Sequence, residues 1–238
     1  MWGLRLRGMA YSALEDALGL SLPGEHLVLR RLRHWLKSAQ TRHALAEFAA
    51  RLRRLGPSDI CIDLGANVGE VTRQLAATGA TVHAFEPDPL AWQVLQQSVG
   101  HLPNVVLHNA AVAADPGRYR LRWQKDFDDD PLLWTTSSYI VADGSAEFDE
   151  AGGIDIEVRS FAEVLRSIGG PVAIVKMDIE GSEFAILRQV LANPSGFPIA
   201  AIFCETHERD GHATVAEVAS MRRTAAALRR PYVNLYWP

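Results

Sequence analysis

The segment 61–70 limits the fold of this chain more than any other. It has the pattern of a short apolar strand that ends in Asp63, followed by a glycine-containing turn and the start of a helix. A second apolar strand, over 81–85, ends in Glu86, 21 positions after Gly65. An acid at the end of the second strand of a doubly wound sheet accepts hydrogen bonds from ribose hydroxyls. The pattern therefore predicts a nucleoside-containing cofactor at the carboxyl edge of a parallel sheet.

The spacing within the turn indicates which cofactor this is. The dinucleotide-binding pattern is G-x-G-x-x-G, whereas this chain has Asp63-x-Gly65-x-Asn67-x-Gly69. A carboxylate two positions before the first glycine would repel a pyrophosphate. It suits the cationic amino-acid end of S-adenosylmethionine (SAM), which it would contact directly or through water. SAM is therefore the predicted cofactor. The alternatives are a dinucleotide and a ligand-free turn in which Asp63 caps the helix.

Size and composition predict one domain with a helical appendage. The chain has 238 residues, of which 48% are hydrophobic, and this suffices for one sizeable core. We divide it into a helical segment over 1–55 and a cofactor-binding domain over 56–238.

Residues 1–55 hold ten Arg/Lys and four Asp/Glu, although the whole chain has a net charge of −4. The basic helices either dock an anionic partner or a membrane surface or, as the favoured alternative, present a solvated face. The overall charge gives no indication of a nucleic-acid partner.

Several sequence features indicate a cytoplasmic protein. No run approaches the ~18 apolar residues of a membrane span, so we expect no integral membrane segment. The first residues lack the continuous apolar stretch of a signal peptide. Cys61 and Cys204 fall in apolar strand-like segments, as buried free thiols of cytoplasmic proteins do. Abundant arginine with scarce lysine is typical of a GC-rich genome, and we expect a bacterial source.

Strands and helices alternate from residue 59 onward. The predicted strands cover 59–63, 81–85, 104–108, 171–177, 199–204 and 232–236. The predicted helices cover 68–78, 88–99, 182–192 and 214–229, after an N-terminal pair over 9–20 and 26–55. This order is typical of an α/β fold in which a mostly parallel, doubly wound sheet carries helices on both faces.

The region 113–170 interrupts the alternation before the fourth strand of the sheet. It contains edge-strand patterns at 117–123 and 154–158 and the start of a capped helix at Ser160. We expect this insertion to lie over the carboxyl edge of the sheet as a cap that binds the acceptor. Its aromatic residues Trp123, Trp134 and Tyr139 either form a stacking surface for a sugar or pack within the insertion.

Polar side chains follow five consecutive strands of the predicted sheet, and they include Asp63, Glu86, Asn109, Asp178, Glu205 and His207. Strand ends of this kind converge on one crevice in an open α/β sheet, and Asn109 could pair there with the adenine amino edge. We therefore assign Asp178, Glu205 and His207 as candidate bases that take the proton of an acceptor hydroxyl. His207 is the group expected to titrate nearest neutral pH.

Lys176 lies inside the apolar fourth strand and needs a charged partner, for which Glu205 on the adjacent strand is one candidate. We count Lys176 among the catalytic residues, with a structural charge network as the alternative. Asp178 is placed to reach both methyl donor and acceptor. We predict no metal. The alternative is that Asp178, Glu205 and His207 hold a divalent ion that activates the hydroxyl.

At these residues the chain resembles the FkbM family of SAM-dependent methyltransferases. The matching pieces, in the family's order, are 62–69 (IDLGANVG), 84–87 (AFEP), 109–112 (NAAV), 176–183 (KMDIEGSE) and 205–207 (ETH). The resemblance implies a Rossmann-like class I methyltransferase fold and O-methylation of a hydroxyl on a sugar, glycan or glycosylated natural product. It implies cofactor contacts at Asp63, Gly65, Ala66, Asn67, Gly69, Glu86, Pro87, Asn109, Ala110 and Asp178. It also marks Lys176, Asp178, Glu180 and Glu183 as a signature without individual roles.

Three features depart from the family pattern. The basic N-terminal helices have no counterpart, and the insertion carries no recognisable motif. The sequence reaches Trp237 and Pro238 soon after the sixth strand, so we expect the closing hairpin with a seventh strand to be absent or truncated. That edge of the sheet is where a homo-oligomer contact would form. The competing functions are N-methylation, a nonenzymatic scaffold that docks through the basic helices, and hydride transfer with a nicotinamide cofactor.

Overall fold

A computed structural model describes residues 27–117, 119–123, 138–142, 153–207 and 213–238 of the protein. Its central element is a sheet of six parallel strands, numbered along the chain. In spatial order they are β11 (Tyr232–Asn234), β10 (Ala201–Cys204), β9 (Ile174–Met177), β1 (Ile60–Leu64), β2 (Thr81–Phe85) and β3 (Val105–His108). The predicted doubly wound sheet is thereby confirmed. The strand order reverses between β1 and β9, and ligands of such sheets bind at the carboxyl side of that point.

Six helices accompany the strands in the described ranges. They are α1 (Leu27–Leu52), α2 (Glu70–Ala76), α3 (Pro89–Val99), α4 (Phe161–Ile168), α5 (Glu183–Ala192) and α6 (Val215–Ala227). The helix starts follow from local side-chain chemistry. The Asp88 carboxylate accepts hydrogen bonds from two amides of the first turn of α3, and the Ser160 hydroxyl accepts one from Glu163 in α4. The predicted starts of these two helices are therefore confirmed.

Alternating side chains of the strands supply two apolar layers. Ile62 and Leu64 of β1 belong to a cluster that includes Phe184 of α5 on one face of the sheet. Cys61 belongs to the opposite cluster, which includes Leu75 of α2 and residues of β10. Cys61 and Cys204 are both buried free thiols, as the sequence predicted.

The end of α1 is part of the second apolar layer. Phe48 is 2% exposed, and its ring centroid lies 5.2 Å from that of Phe203 and 4.7 Å from that of Trp237. The guanidinium of Arg51 lies 4.3 Å from the ring centroid of Tyr232 on β11. The helix predicted at 9–20 lies outside the described residues. Among the described helices, none has the length and apolar character needed to cross a bilayer.

The insertion forms two small sheets. β4 (Ala111–Ala113) pairs in parallel with β8 (Val158–Ser160), so the entry and exit of the insertion lie side by side. β5 (Tyr119–Trp123) pairs antiparallel with both β6 (Ser138–Ala142) and β7 (Ile154–Ile156). The two predicted edge strands are present as β5 and β7, whereas β4, β6 and β8 were not predicted as separate strands. Trp134 lies outside the described residues, and the stacking role of Trp123 and Tyr139 stays a prediction.

Candidate active site

A cavity of about 410 Å³ lies at the carboxyl edge of the sheet, between the ends of the central strands and the antiparallel sheet of the insertion. Leu121 of β5 and Ile140 of β6 form part of its wall, so the insertion borders the cavity, and its role in acceptor binding stays a prediction. The predicted site residues that line the cavity are Gly65, Asn67, Glu86, Pro87, Ala110, Asp178, Glu205 and His207. Of the other predicted residues, Asp63, Ala66, Gly69, Asn109 and Lys176 are not among the lining residues.

The turn after β1 owes its glycines to close packing of the protein on itself. Gly65 has φ +71°, and a Cβ atom there would lie 1.8 Å from the carbonyl oxygen of Asp178. Gly69 has φ +90°, and its Cβ would lie 2.9 Å from Leu95 of α3. Both positions need a residue that tolerates left-handed backbone without a side chain. The close approach of the protein's own atoms therefore accounts for glycine at both positions.

Glu86 connects this turn to the end of β2. Its two carboxylate oxygens accept hydrogen bonds from the amides of Asn67 and Asp88, each at 2.8 Å. Burial raises the pKa of Glu86 to about 7, although the two amide donors act in the opposite direction. Asn109 donates its side-chain amide to the backbone carbonyl of Glu86 at 2.9 Å. Asn109 therefore stabilises the end of β2 and is not among the residues that line the cavity. The sequence had suggested that it contacts adenine.

Asp63 and Lys176 form a buried ion pair behind the turn. Asp63 is 0% exposed, accepts a hydrogen bond from Thr72 at 2.6 Å and lies 3.5 Å from Lys176 Nζ. Lys176 Nζ also donates to the Gly65 carbonyl at 2.6 Å and lies 3.6 Å from Asp178 Oδ2. Burial raises the pKa of Asp63 against the effect of the Lys176 charge. Burial lowers the pKa of Lys176, but Asp63 and Asp178 outweigh it and raise that pKa.

This pair corrects two sequence interpretations. The sequence suggested Glu205 as the charged partner of Lys176. Among the described residues, the carboxylates within ion-pair distance of Lys176 are those of Asp63 and Asp178. Asp63 is not the cap of α2, because that helix begins after Gly69. With Asp63 fully buried and Lys176 4% exposed, neither side chain is part of the cavity surface. Asp63 and Lys176 therefore hold neighbouring elements together, which agrees with the alternative of a structural charge network.

His207 is held against the first turn of α5. The Glu183 carboxylate is fully buried, and one of its oxygens accepts hydrogen bonds from both the backbone amide and Nδ1 of His207, each at 3.0 Å. This contact assigns a ring proton to Nδ1. The other oxygen accepts from the amide of Gly181 at 2.7 Å. His207 Nε2 consequently faces the cavity, 3.6 Å from Asp178 Oδ1 and 3.2 Å from Glu180 Oε2.

The electrostatics of this corner differ from the expectation for His207. Burial lowers the pKa of His207, but the hydrogen bond and charge of Glu183 outweigh it and raise the pKa to about 9. Burial raises the pKa of Glu180 to about 7 against the effect of the His207 charge. His207 is therefore in its positively charged form at pH 7, and Glu180, like Glu86, has a pKa near neutrality.

Glu180 and Glu183 are site residues to which the sequence had given no individual role. Glu180 occupies a left-handed turn, with φ 48°, that brings its carboxylate to the cavity. Asp178, Glu180 and His207 each offer one ligand atom within 4.8 Å of the others, a set suited to a metal ion. The predicted alternative metal set had Glu205 in the place of Glu180. The apolar wall residues, such as Ile179, carry no sequence signal that distinguishes them from core residues.

Comparisons with known proteins agree with this arrangement. The family model described as "Methyltransferase FkbM domain" matches residues 63–227, more than half of the chain. The 31-O-demethyl-FK506 methyltransferase FkbM of Streptomyces tacrolimicus is 28% identical over 192 residues, which are 71% of this chain and 72% of that protein. The hexuronic acid methyltransferase AglP of Haloferax volcanii is 30% identical over 132 residues, 55% of this chain and 49% of that protein.

A shorter match covers about a quarter of the chain. Ribosomal RNA small subunit methyltransferase A of Thermotoga maritima is 36% identical over 63 residues, 26% of this chain and 23% of that protein. The proteins matched in all these comparisons are methyltransferases, and the family match spans the strands whose ends surround the cavity. The chain belongs to the FkbM family of methyltransferases.

Proposed function

We propose that the protein is a SAM-dependent O-methyltransferase that acts on a hydroxyl group of a sugar, glycan or glycosylated natural product. The observation that carries the proposal is the buried Glu86 carboxylate, which borders the cavity at the end of β2 beside the turn that follows β1. This is the place where an acid binds ribose hydroxyls in doubly wound folds. The cavity volume of about 410 Å³ falls within the range of about 300–1,000 Å³ for small-molecule sites.

The residues around the cavity fit a nucleoside with a charged amino-acid tail. Glu86 would accept hydrogen bonds from the ribose, while Pro87 and Ala110 supply the adjoining wall. Gly65 and Asn67 border the side on which the amino-acid end would lie. Bound SAM supplies a methyl group that is activated by its attachment to a positively charged sulfur. The ion pair of Asp63 and Lys176 keeps the turn in place from behind.

The opposite side of the cavity suits an oxygen acceptor. Asp178, Glu180 and Glu205 place carboxylates there, and a hydroxyl must lose its proton to such a group as its oxygen bonds to the methyl carbon. Leu121, Ile140 and other apolar side chains wall the cavity, so they would exclude water and align the acceptor. Two relatives support the acceptor class, since their names give an O-demethylated natural product and a hexuronic acid as substrates.

The cofactor part of the proposal can be tested without knowing the acceptor. Thermal unfolding is measured with SAM, with S-adenosylhomocysteine, with NAD and with buffer alone. A rise in Tm of roughly 2–8 °C with the first two only is expected from ligand linkage. Glu86→Ala should lose the rise, whereas Glu163→Gln, an exposed change on α4, should keep it. A cooperative transition that neither SAM nor S-adenosylhomocysteine shifts would contradict the proposal.

The acceptor part is tested by transfer of labelled methyl groups. Neutral glycosides, uronic acids, hydroxylated macrocycles and amino sugars are offered separately, and the methyl position in each product is located by NMR. We expect products methylated on a hydroxyl oxygen. Transfer to nitrogen alone would favour the competing N-methyltransferase, and a rise in Tm with NAD in the unfolding measurement would favour hydride transfer.

A further inference from the structure

One corner of the cavity brings together three metal-ligating side chains from two connections of the sheet. Asp178 and Glu180 lie between β9 and α5, and His207 follows β10. All three line the cavity, and their side chains are 31%, 26% and 13% exposed. The ligand atoms are therefore accessible from the cavity while being largely sheltered from bulk water, which weakens the competition of solvent for an ion.

Two of the three distances between the ligand atoms match those of a coordination shell. Ligand atoms about 2.1 Å from an ion lie about 3.0 Å apart in an octahedral shell and about 3.4 Å apart in a tetrahedral one. His207 Nε2 lies 3.2 Å from Glu180 Oε2 and 3.6 Å from Asp178 Oδ1. The two carboxylate oxygens lie no more than 4.8 Å apart, within reach of one ion after adjustment of their side chains.

Two groups outside the set orient these ligands. Glu183, which is fully buried, accepts from His207 Nδ1 and thereby leaves Nε2 directed at the cavity. A carboxylate that fixes the far nitrogen of a metal-binding histidine is a regular feature of metal sites. Lys176 lies against Oδ2 of Asp178, so Oδ1 is the oxygen on the His207 side.

We propose that Asp178, Glu180 and His207 bind a divalent first-row cation, with Mn²⁺ as the preferred probe. One imidazole and two carboxylates suit such an ion better than Ca²⁺, which prefers six to eight oxygen ligands. The ion would displace the proton from His207 Nε2, and three protein ligands leave coordination positions open toward the cavity. A hydroxyl bound at an open position would have a lowered pKa, and this role rests on the proposed methyltransferase function. The binding of the ion itself does not rest on that function.

The test measures Mn²⁺ binding to the purified full chain after EDTA treatment and removal of the chelator. Isothermal titration calorimetry should give one site per chain, with Ca²⁺ binding more weakly. Glu180→Gln should weaken Mn²⁺ binding by at least about tenfold. Glu183→Gln should weaken it by about 10–100-fold through His207. Glu163→Gln, which changes an exposed carboxylate on α4, should leave it unchanged.

A spectroscopic measurement keeps the test valid if a variant fails to fold. Electron spin-echo spectra of Mn²⁺ bound to the unchanged protein should show coupling to an imidazole nitrogen. Absence of that coupling, absence of saturable binding, or equal affinity in a folded Glu180→Gln variant would overturn the proposal. A Tm rise with SAM in a protein that does not bind Mn²⁺ would refute the metal site alone. Binding of Mn²⁺ without any response to SAM would refute the proposed function instead.

Discussion

Replacing Lys176 by Met should destabilise the fold, because it leaves the buried Asp63 carboxylate without the ammonium group beside it. Asp63 is 0% exposed, and its contacts in the structure are Thr72 and Lys176. Removing one member of a buried ion pair destabilises a protein by about 3–5 kcal/mol. Asp178 contributes less, because its side chain is 31% exposed and water can replace the ammonium there. We therefore expect Lys176→Met to lower the free energy of unfolding by about 3–5 kcal/mol at pH 7.

The pH dependence of that loss follows from Asp63. Burial already raises its pKa above the usual value of 3.8, and removal of the Lys176 charge takes away a group that lowers it. An acid whose pKa is raised in the folded state stabilises fully below its unfolded pKa, and this stability is lost as the pH rises through the folded pKa. The destabilisation by Lys176→Met should thus be small near pH 4 and grow toward pH 8.

Urea unfolding followed by tryptophan fluorescence measures these differences. Arg166→Met is the matched control, since Arg166 and Glu163 form an exposed pair 3.8 Å apart and the change should cost less than about 0.5 kcal/mol. The double variant Asp63→Asn with Lys176→Met removes both charges and should recover at least about 1 kcal/mol of the loss. A Lys176→Met variant within about 1 kcal/mol of the unchanged protein from pH 5 to pH 8 would refute the reasoning.

Three further changes test the cofactor side and the core. Affinity for SAM, measured by calorimetry, should rise between pH 6 and pH 8, because Glu86 has a pKa of about 7 and accepts ribose hydrogen bonds best when ionised. The Glu86→Gln variant should show no such rise. Gly65→Ala should destabilise by clearly more than Gly169→Ala in urea unfolding. Both positions have φ +71°, but only the Cβ at 65 meets backbone, at 1.8 Å, and equal losses would contradict this. Phe48→Ala should lower unfolding free energy by about 3–5 kcal/mol, and an intact stability would show that α1 is not part of the core.

The main sheet could be predicted because its strands are buried and apolar and are separated by helices of ordinary length. The smaller strands were harder to foresee. β4 consists of three small residues, Ala111 to Ala113, with no alternation of polar and apolar side chains. Its pairing with β8 joins positions more than 40 residues apart, which no local pattern specifies.

The location of the site could be predicted, because the carboxyl ends of parallel strands meet at one edge of the sheet. The sequence did not define which side chains line the cavity. Asp63 is the fourth residue of β1, and the register places it opposite Lys176 of β9. Neighbours in register share one face of a parallel sheet, so these two side chains meet beneath the turn. Asp178 and Glu205 come after their strands end and line the cavity.

The pairing of β4 with β8 has a consequence for how the insertion can change among related proteins. The chain leaves the main fold and returns to it at adjacent points, joined by a hydrogen bond from the Ala111 amide to the Glu157 carbonyl at 2.9 Å. A segment held at both ends can change length at a cost of only about 0.6 kcal/mol per doubling. Chimeric proteins that exchange residues 114–157 with a relative's would keep all six parallel strands. In the proposed function, the part of the cavity wall that Leu121 and Ile140 supply could therefore be exchanged without altering the end of β2 that carries Glu86.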